Sequence, residues 1–378
     1  MYKTILKRSE TMQFTVNKNE ITDAVINIQR AVSSKTSIPA LEGILLHAEG
    51  SALQLCAYDL ELGITTIIPA SCQNDGKIVL SAKVFSEIVR KSPAETVKIT
   101  VDEKNMATIE SGESSFTIIG IPSEEFPELP KVSDATNIRI QAAILKSMIK
   151  QTLFAVAEGD AKPIHQGSLF SIEGGLFDMV SVDGYRLAKR TETIQFDEDI
   201  SFVVPGKTLS EVNKLLKDTD EEIEMIIGRR HILFTIDNYT VISSLLEGEF
   251  LNYKATIPAE SPTEVIVNTR STIESVERVS LLITDRLKSP LRCTFEDNSI
   301  SFMCTTSMGR AHDKINAKIK GEGLEMGFNN RYLLDALKNT ECDEIKIQLN
   351  TPLSPMKIVP KDGDSFLFLV LPVRLKSE

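Results

Sequence analysis

The chain has 378 residues, more than one ordinary hydrophobic core encloses, so two or three domains are expected. With 42% apolar and 25% charged residues it has the composition of a soluble globular protein, which excludes a disordered chain. A net charge of −11 argues, taken by itself, against a nucleic-acid binder.

Residues 1–11 hold no apolar run long enough for a signal peptide or a membrane span, and are expected to be either a disordered extension or a start placed too early. Gln13–Val16 alternates as a strand, and Asn19–Val32 reads as a helix because Ile21, Val25, Ile28 and Val32 share one face. Extended runs follow at Ile44–His47, Ala52–Ala57 and Gly63–Ile68. Lys77–Arg90 reads as a strand running into an amphipathic helix, and Val97–Val101, Met106–Ser111 and Ser115–Ile119 complete the first repeat.

The second repeat takes the same course. Ile138–Gln141 leads into a helix at Ala142–Ala155, with strands at Leu169–Glu173, Phe177–Val182 and Ala188–Thr193. Ile200–Lys214 is again strand then helix, followed by Glu222–Ile227, Ile232–Ile236 and Thr240–Ser244. The third has Glu264–Asn268, a helix at Ser271–Leu282, and strands at Leu291–Phe295, Ser299–Thr305 and Arg310–Ile319. Leu324–Lys338 is its strand-helix stretch, and Glu344–Leu349, Met356–Pro360 and Phe366–Val373 close it. Linkers at Pro122–Ser133 and Pro258–Pro262 set expected domains at 12–133, 134–260 and 261–378. Each domain is thus two β-α-β-β-β halves, an α+β organisation with antiparallel sheets and helices gathered on one face.

The second helix of each repeat carries two cations seven residues apart: Lys83 and Arg90, Lys207 and Lys214, Arg331 and Lys338. By subtraction the copies stand 124 residues apart both times. Across six helix windows the net charge is +6, which leaves −17 for the rest of a chain whose total is −11. Such segregation suits a protein with one face toward phosphate and another toward solvent. For one helix, surface lysines need no explanation; recurrence at a fixed register shifts the balance toward function.

Chemistry is not legible. The sequence holds no phosphate-cradling G-x-x-x-x-G-K-[ST], no G-x-S-x-G and no H-E-x-x-H. His47, His165, His231 and His312 lack ligand spacing, and no Cys-His set suggests zinc. Catalytic residues, cofactors and metals are therefore not expected. The cysteines, Cys56, Cys72, Cys293, Cys304 and Cys342, are odd in number and without a C-x-x-C pair, which points to structural thiols in a reducing cytosol.

The order of four marks on this repeat resembles the bacterial DNA polymerase III β subunits, the replicative sliding clamps, over Met12 to Leu375. The marks are Ser33–Leu41, Val182–Leu187, Leu246–Tyr253 and Leu371–Leu375. The resemblance implies three clamp domains per chain and a head-to-tail homodimer closed into a ring, with helices lining the hole and sheets outside. It implies no catalysis and no cofactor, but a cytoplasmic processivity factor that slides on double-stranded DNA without reading sequence. Implied partners are the polymerase III catalytic subunit, an ATP-driven clamp loader, and other polymerases and repair proteins carrying clamp-binding peptides.

By the same resemblance the DNA-facing positions are Lys35, Lys83, Arg90, Lys146, Lys150, Lys162, Lys207, Lys214, Arg331 and Lys338. After Lys162 the aromatic pair of some relatives is replaced by Pro163-Ile164. The implied groove for partner peptides maps to His165, Val182, Gly184, Tyr185, Arg186, Leu187, Leu251, Thr256, Leu369, Leu371, Pro372, Val373 and Arg374. Leu187, Leu251 and Leu371 are expected to wall its pocket. His165 stands where Leu is usual, Leu251 where Pro is frequent, and Lys376–Glu378 overhangs the usual end. Leu281 and Leu282 match dimer-contact positions, with plain helix core as the competing reading. Against the clamp stands a repeat-built peptide-binding scaffold or enzyme with no DNA role.

Overall fold

Strand-to-helix junctions sealed by asparagine organise the chain. Asn17 accepts hydrogen bonds from the amides of Asn19 and Glu20, Asn268 from Ser271, and Asn329 from Arg331. Each side chain satisfies amides that the helix start leaves open, so an extended strand turns into a helix within one residue. The computed structural model describes residues 10–33, 35–133, 135–159, 162–284, 286–287 and 289–375. Among these lie six α-helices: α1 Lys18–Ile28, α2 Ala82–Lys91, α3 Ala142–Leu153, α4 Gly206–Leu215, α5 Thr269–Ser280 and α6 Asn330–Lys338. None is long and apolar enough to cross a membrane.

The first strand opens at Glu10, inside the expected disordered extension; residues 1–9 of that extension, and Lys376–Glu378, lie outside the described residues. The first helix ends earlier than its periodicity suggests. After Ile28 the chain tightens into a 3-10 turn at Gln29–Ala31, where the Val32 amide donates to the Gln29 carbonyl at 3.2 Å. Such i to i+3 bonds satisfy carbonyls that the helix end would otherwise leave open.

Contacts divide the chain into two compact units, residues 1–142 with 214–244, and residues 143–213 with 245–378. In the first, a five-stranded sheet runs in the order 71–74, 10–17, 96–102, 106–111, 114–119. Its eight-stranded sheet runs 136–141, 222–227, 231–236, 239–244, 62–69, 52–58, 43–49, 76–81. The second unit has a nine-stranded sheet in the order 200–205, 167–173, 176–182, 186–193, 366–370, 356–360, 344–349, 263–268, 318–320. A four-stranded sheet of 309–316, 299–306, 291–296 and 324–328 completes it. Within it Val276, Val279, Leu333 and Leu337 from α5 and α6 share one core with Phe295, Phe328, Phe366 and Phe368. Burying each such side chain contributes about 1.5–3 kcal/mol.

Two strands depart from the sequence reading at places where the chain changes sheets. Arg310–Ile319 is two strands, because 309–316 pairs with 299–306 whereas Lys318–Lys320 pairs with Glu264–Ile266 in the other sheet. Ser71–Asn74 is a separate strand that leaves the 62–69 neighbourhood to pair with Gln13–Thr15. The last strand stops at Val370 rather than Val373. Pro372 has no amide to donate, so a regular ladder cannot run through it. The Leu371 amide donates instead to the Tyr185 carbonyl, and that of Val373 to the Gly327 carbonyl, both at 2.9 Å. The close approach requires a glycine at 327, since an added Cβ would stand 2.8 Å from the Val373 carbonyl oxygen.

All five cysteines are free. Burial pushes the Cys56 thiol up to about 11 and raises Cys293 and Cys304, which keeps these thiols protonated and inert.

Candidate functional site

A tight turn at Asp183–Arg186 shapes the part of the second unit where the groove is expected. The Asp183 carboxylate accepts the amides of Tyr185 at 2.9 Å and Arg186 at 3.0 Å, and Gly184 sits at φ +88, where a side chain would be strained. The turn launches the 186–193 strand so that Leu187 pairs inward against Leu369. Those two join Leu169, Val180, Val182, Val203 and Tyr253 in one buried cluster, edged by Ile164, Leu246, Phe250 and Ile257. Leu187 is only 3% exposed, so it belongs to the floor of the site and not to its wall, as cross-strand pairing with Leu369 dictates.

Solvent reaches other side chains. Leu251 is 38% and Leu371 39% exposed, and Val373 and Tyr185 are exposed as well. Exposed apolar side chains around an apolar floor are what an interaction site presents. Thr256 is exposed, its hydroxyl donating to the Tyr253 carbonyl at 2.7 Å, and Pro372 is half-buried. The Tyr253 hydroxyl donates to Asp178 at 2.8 Å, which ties this segment to the sheet; burial, then that bond, raises the phenol above its ordinary value.

His165 is buried edge-to-face on Phe250, with ring centroids 5.3 Å apart. Burial first, then the charge of Lys162, lowers its pKa below the ordinary 6.5. The ring is therefore neutral at neutral pH. Below about 6.5 the unfolded chain binds a proton more readily than the folded one, so stability falls as pH drops. Compared with His165→Leu, the wild type should lose more of its thermal midpoint between about pH 7.5 and pH 5.5, by about one degree or more. Parallel declines would show that His165 contributes no linkage.

Beside the floor lies a cavity of about 760 Å³ whose lining includes Tyr185, Arg186, Asn329, Tyr332, Val373 and Arg374. Tyr332 and Asp335, both on α6, have no counterpart in the sequence reading. Their closeness to Arg186 spans almost 150 residues of chain, and no local pattern signals it.

The cationic positions fall on helix faces or turns. Lys83, Lys207 and Arg331 are each the second residue of their helix, Arg90, Lys214 and Lys338 the ninth, and all six are exposed. Lys35 and Lys162 are exposed outside the helices, Lys150 is exposed on α3, and Lys146 is half-buried there. Several already hold carboxylates of the same chain. Arg90 and Lys91 share Glu87, Lys150 donates to Glu341 at 2.6 Å, and Lys338 reaches Glu277 of α5 at 2.6 Å. Its hydrogen bonds to Arg90 and Lys91 hold the Glu87 carboxyl below its ordinary value.

Leu281 is 79% exposed just past α5, whereas Leu282 packs onto the core. Ser114–Ile119, which exposes Phe116 and Ile119, and Gly309–Asn316 are among the edge strands of their sheets, each pairing on one side among the described residues. Among the described residues no cluster of His, Cys, Asp and Glu could hold a metal ion.

Comparison with known proteins is consistent from residue 12 to residue 374. Family models of the DNA polymerase III beta subunit match its N-terminal domain at residues 12–130, its central domain at 139–252 and its C-terminal domain at 254–374. The beta sliding clamp of Bacillus subtilis is 33% identical over 376 residues, covering 96% of this chain and all of that protein. That of Halalkalibacterium halodurans is 32% identical over 378 residues, with 96% and 100% covered. The crystal structure of the Bacillus subtilis sliding clamp superposes with a TM-score of 0.93 at 32% identity, covering 97% of this chain and 100% of that one. A Pseudomonas aeruginosa sliding clamp bound to griselimycin gives 0.91 at 25% identity, with 97% and 100% covered.

Proposed function

This chain belongs to the DNA polymerase III beta-subunit family, the sliding clamps, and from that premise we propose that two copies close head to tail around duplex DNA. A sliding clamp is a processivity factor and not an enzyme, and it carries three clamp domains of mixed α and antiparallel β structure. Here we assign those domains to 12–133, 134–260 and 261–378.

One observation carries the DNA-facing assignment. Exposed cations recur at the second and ninth positions of α2, α4 and α6 in an otherwise acidic chain. Lys35, Lys146, Lys150 and Lys162 extend the set. Their contacts are with phosphate, which holds the duplex without reading sequence. The edge strands Ser114–Ile119 and Gly309–Asn316, two of several in the fold, are proposed with Leu281 and Leu282 as the surfaces that meet between copies, since strand edges pair readily. The floor at Leu187 and Leu369, with Leu251 and Leu371 above it, takes hydrophobic peptides of the polymerase, the loader and repair proteins. The site of action is the cytoplasm, where the chromosome is copied.

Loading onto nicked circular DNA by an ATP-driven loader, followed by linearisation, tests this reading. The protein should stay on the circle in moderate salt and be lost once ends are available. Equal retention on both forms would overturn the ring.

A further inference from the structure

Two donor groups of Arg186 are held by its own protein. Its Nε donates to Asp183 Oδ2 at 2.9 Å, and its Nη1 donates to Asp335 Oδ2 on α6. Its guanidinium carbon stands 4.6 Å from the centre of the Tyr332 ring and 5.6 Å from that of Phe154. Tyr332 in turn stacks on Tyr185, with centroids 5.7 Å apart and planes 22° from parallel. A planar fork with two carboxylates and two aromatic faces is a geometric fastener more than a point charge.

Its two carboxylates come from different parts of the fold. Asp183 belongs to the turn that launches the Leu187 strand, whereas Asp335 lies on α6, one turn beyond Tyr332. We propose that Arg186 and Asp335 form a latch that positions the rim of the peptide groove, with Asp335, which itself lines the neighbouring cavity, acting through Arg186. Closing the latch draws α6 against the Asp183–Arg186 turn. It thereby fixes the Tyr185–Tyr332 stack beside the cavity of about 760 Å³. Removing one carboxylate leaves the partly buried guanidinium undercompensated and frees α6 to move away from the turn.

The proposal rests on the groove reading above, and its test separates the two. The probe is a fluorescein-labelled decapeptide ending in Leu-Phe, titrated by anisotropy into the full-length protein. Asp335→Asn should weaken binding by about tenfold, Asp335→Glu should recover most of it, and thermal midpoints should stay within a few degrees. In an Arg186→Gln background, Asp335→Asn should have no further effect, because the two residues act as one unit. A wild-type protein that does not bind the probe sinks the groove reading and the latch with it. If the wild type binds and Asp335→Asn binds equally well, the groove stands and the latch falls. Additive losses in the two backgrounds would likewise overturn it, since Asp335 would then act independently of Arg186.

Discussion

Aspartate at both Leu251 and Leu371 should weaken capture of a hydrophobic peptide at least about 100-fold, with the unfolding temperature nearly unchanged. Both side chains are already more than a third exposed, so the free protein loses little core. A docked peptide would cover them. Each replacement then forfeits about 1.5–3 kcal/mol of apolar burial, and it sets a carboxylate without a partner in a drying interface. Two such losses exceed the 2.7 kcal/mol or so that a hundredfold change requires. Leu187 is a poor choice for the same experiment, because at 3% exposure its replacement would unfold the floor. Anisotropy titration and a thermal melt read out both halves. Undiminished binding by a folded double variant would remove these leucines from the groove.

Reversing Lys83, Lys207 and Arg331 to glutamate together should reduce DNA-dependent stimulation of a polymerase by about tenfold or more while peptide affinity is kept. All three are exposed, and each is the second residue of its helix. An acidic side chain is favoured near a helix start, so the variant should fold as well as the wild type. Each lost phosphate contact lowers the salt dependence by about 0.9 log units per decade of salt, roughly 2.7 for three. Unchanged stimulation with an unchanged slope would favour a peptide-binding scaffold over a DNA-facing stripe.

Local pattern carried the reading of the elements. Glu222–Ile227, Glu344–Leu349 and Met356–Pro360 are strands with the bounds their alternation suggests. α2 lies where Phe85, Ile88 and Val89 fall on one face and Lys83 and Arg90 on the other. What escaped depends on partners distant in sequence. Alternation runs on through Ala317, so nothing local announces that Lys318–Lys320 has joined a different sheet. The halt at Val370 was visible in Pro372, whose missing amide is a chain-local fact. The latch was not, because Asp335 looks like any surface aspartate until α6 is placed against Arg186. Leu187 read as a wall because the resemblance gives a groove position and not a depth, while burial depends on Leu369 across the ladder.

The carboxylates that hold Arg90, Lys150 and Lys338 bear on how fast such a protein could travel. A bare ammonium pressed against phosphate makes a well that must be climbed out of at every step. Under the proposed DNA-facing assignment, a cation leaving one phosphate would fall back on Glu87, Glu341 or Glu277, at an exposed ion pair worth about 0–1 kcal/mol. The exchange replaces one anion by another, and the energy profile along the duplex axis is correspondingly shallow. On the DNA-facing assignment proposed above, such glutamates would act as a lubricant, leaving drift along the duplex governed by viscous drag more than by bond rupture.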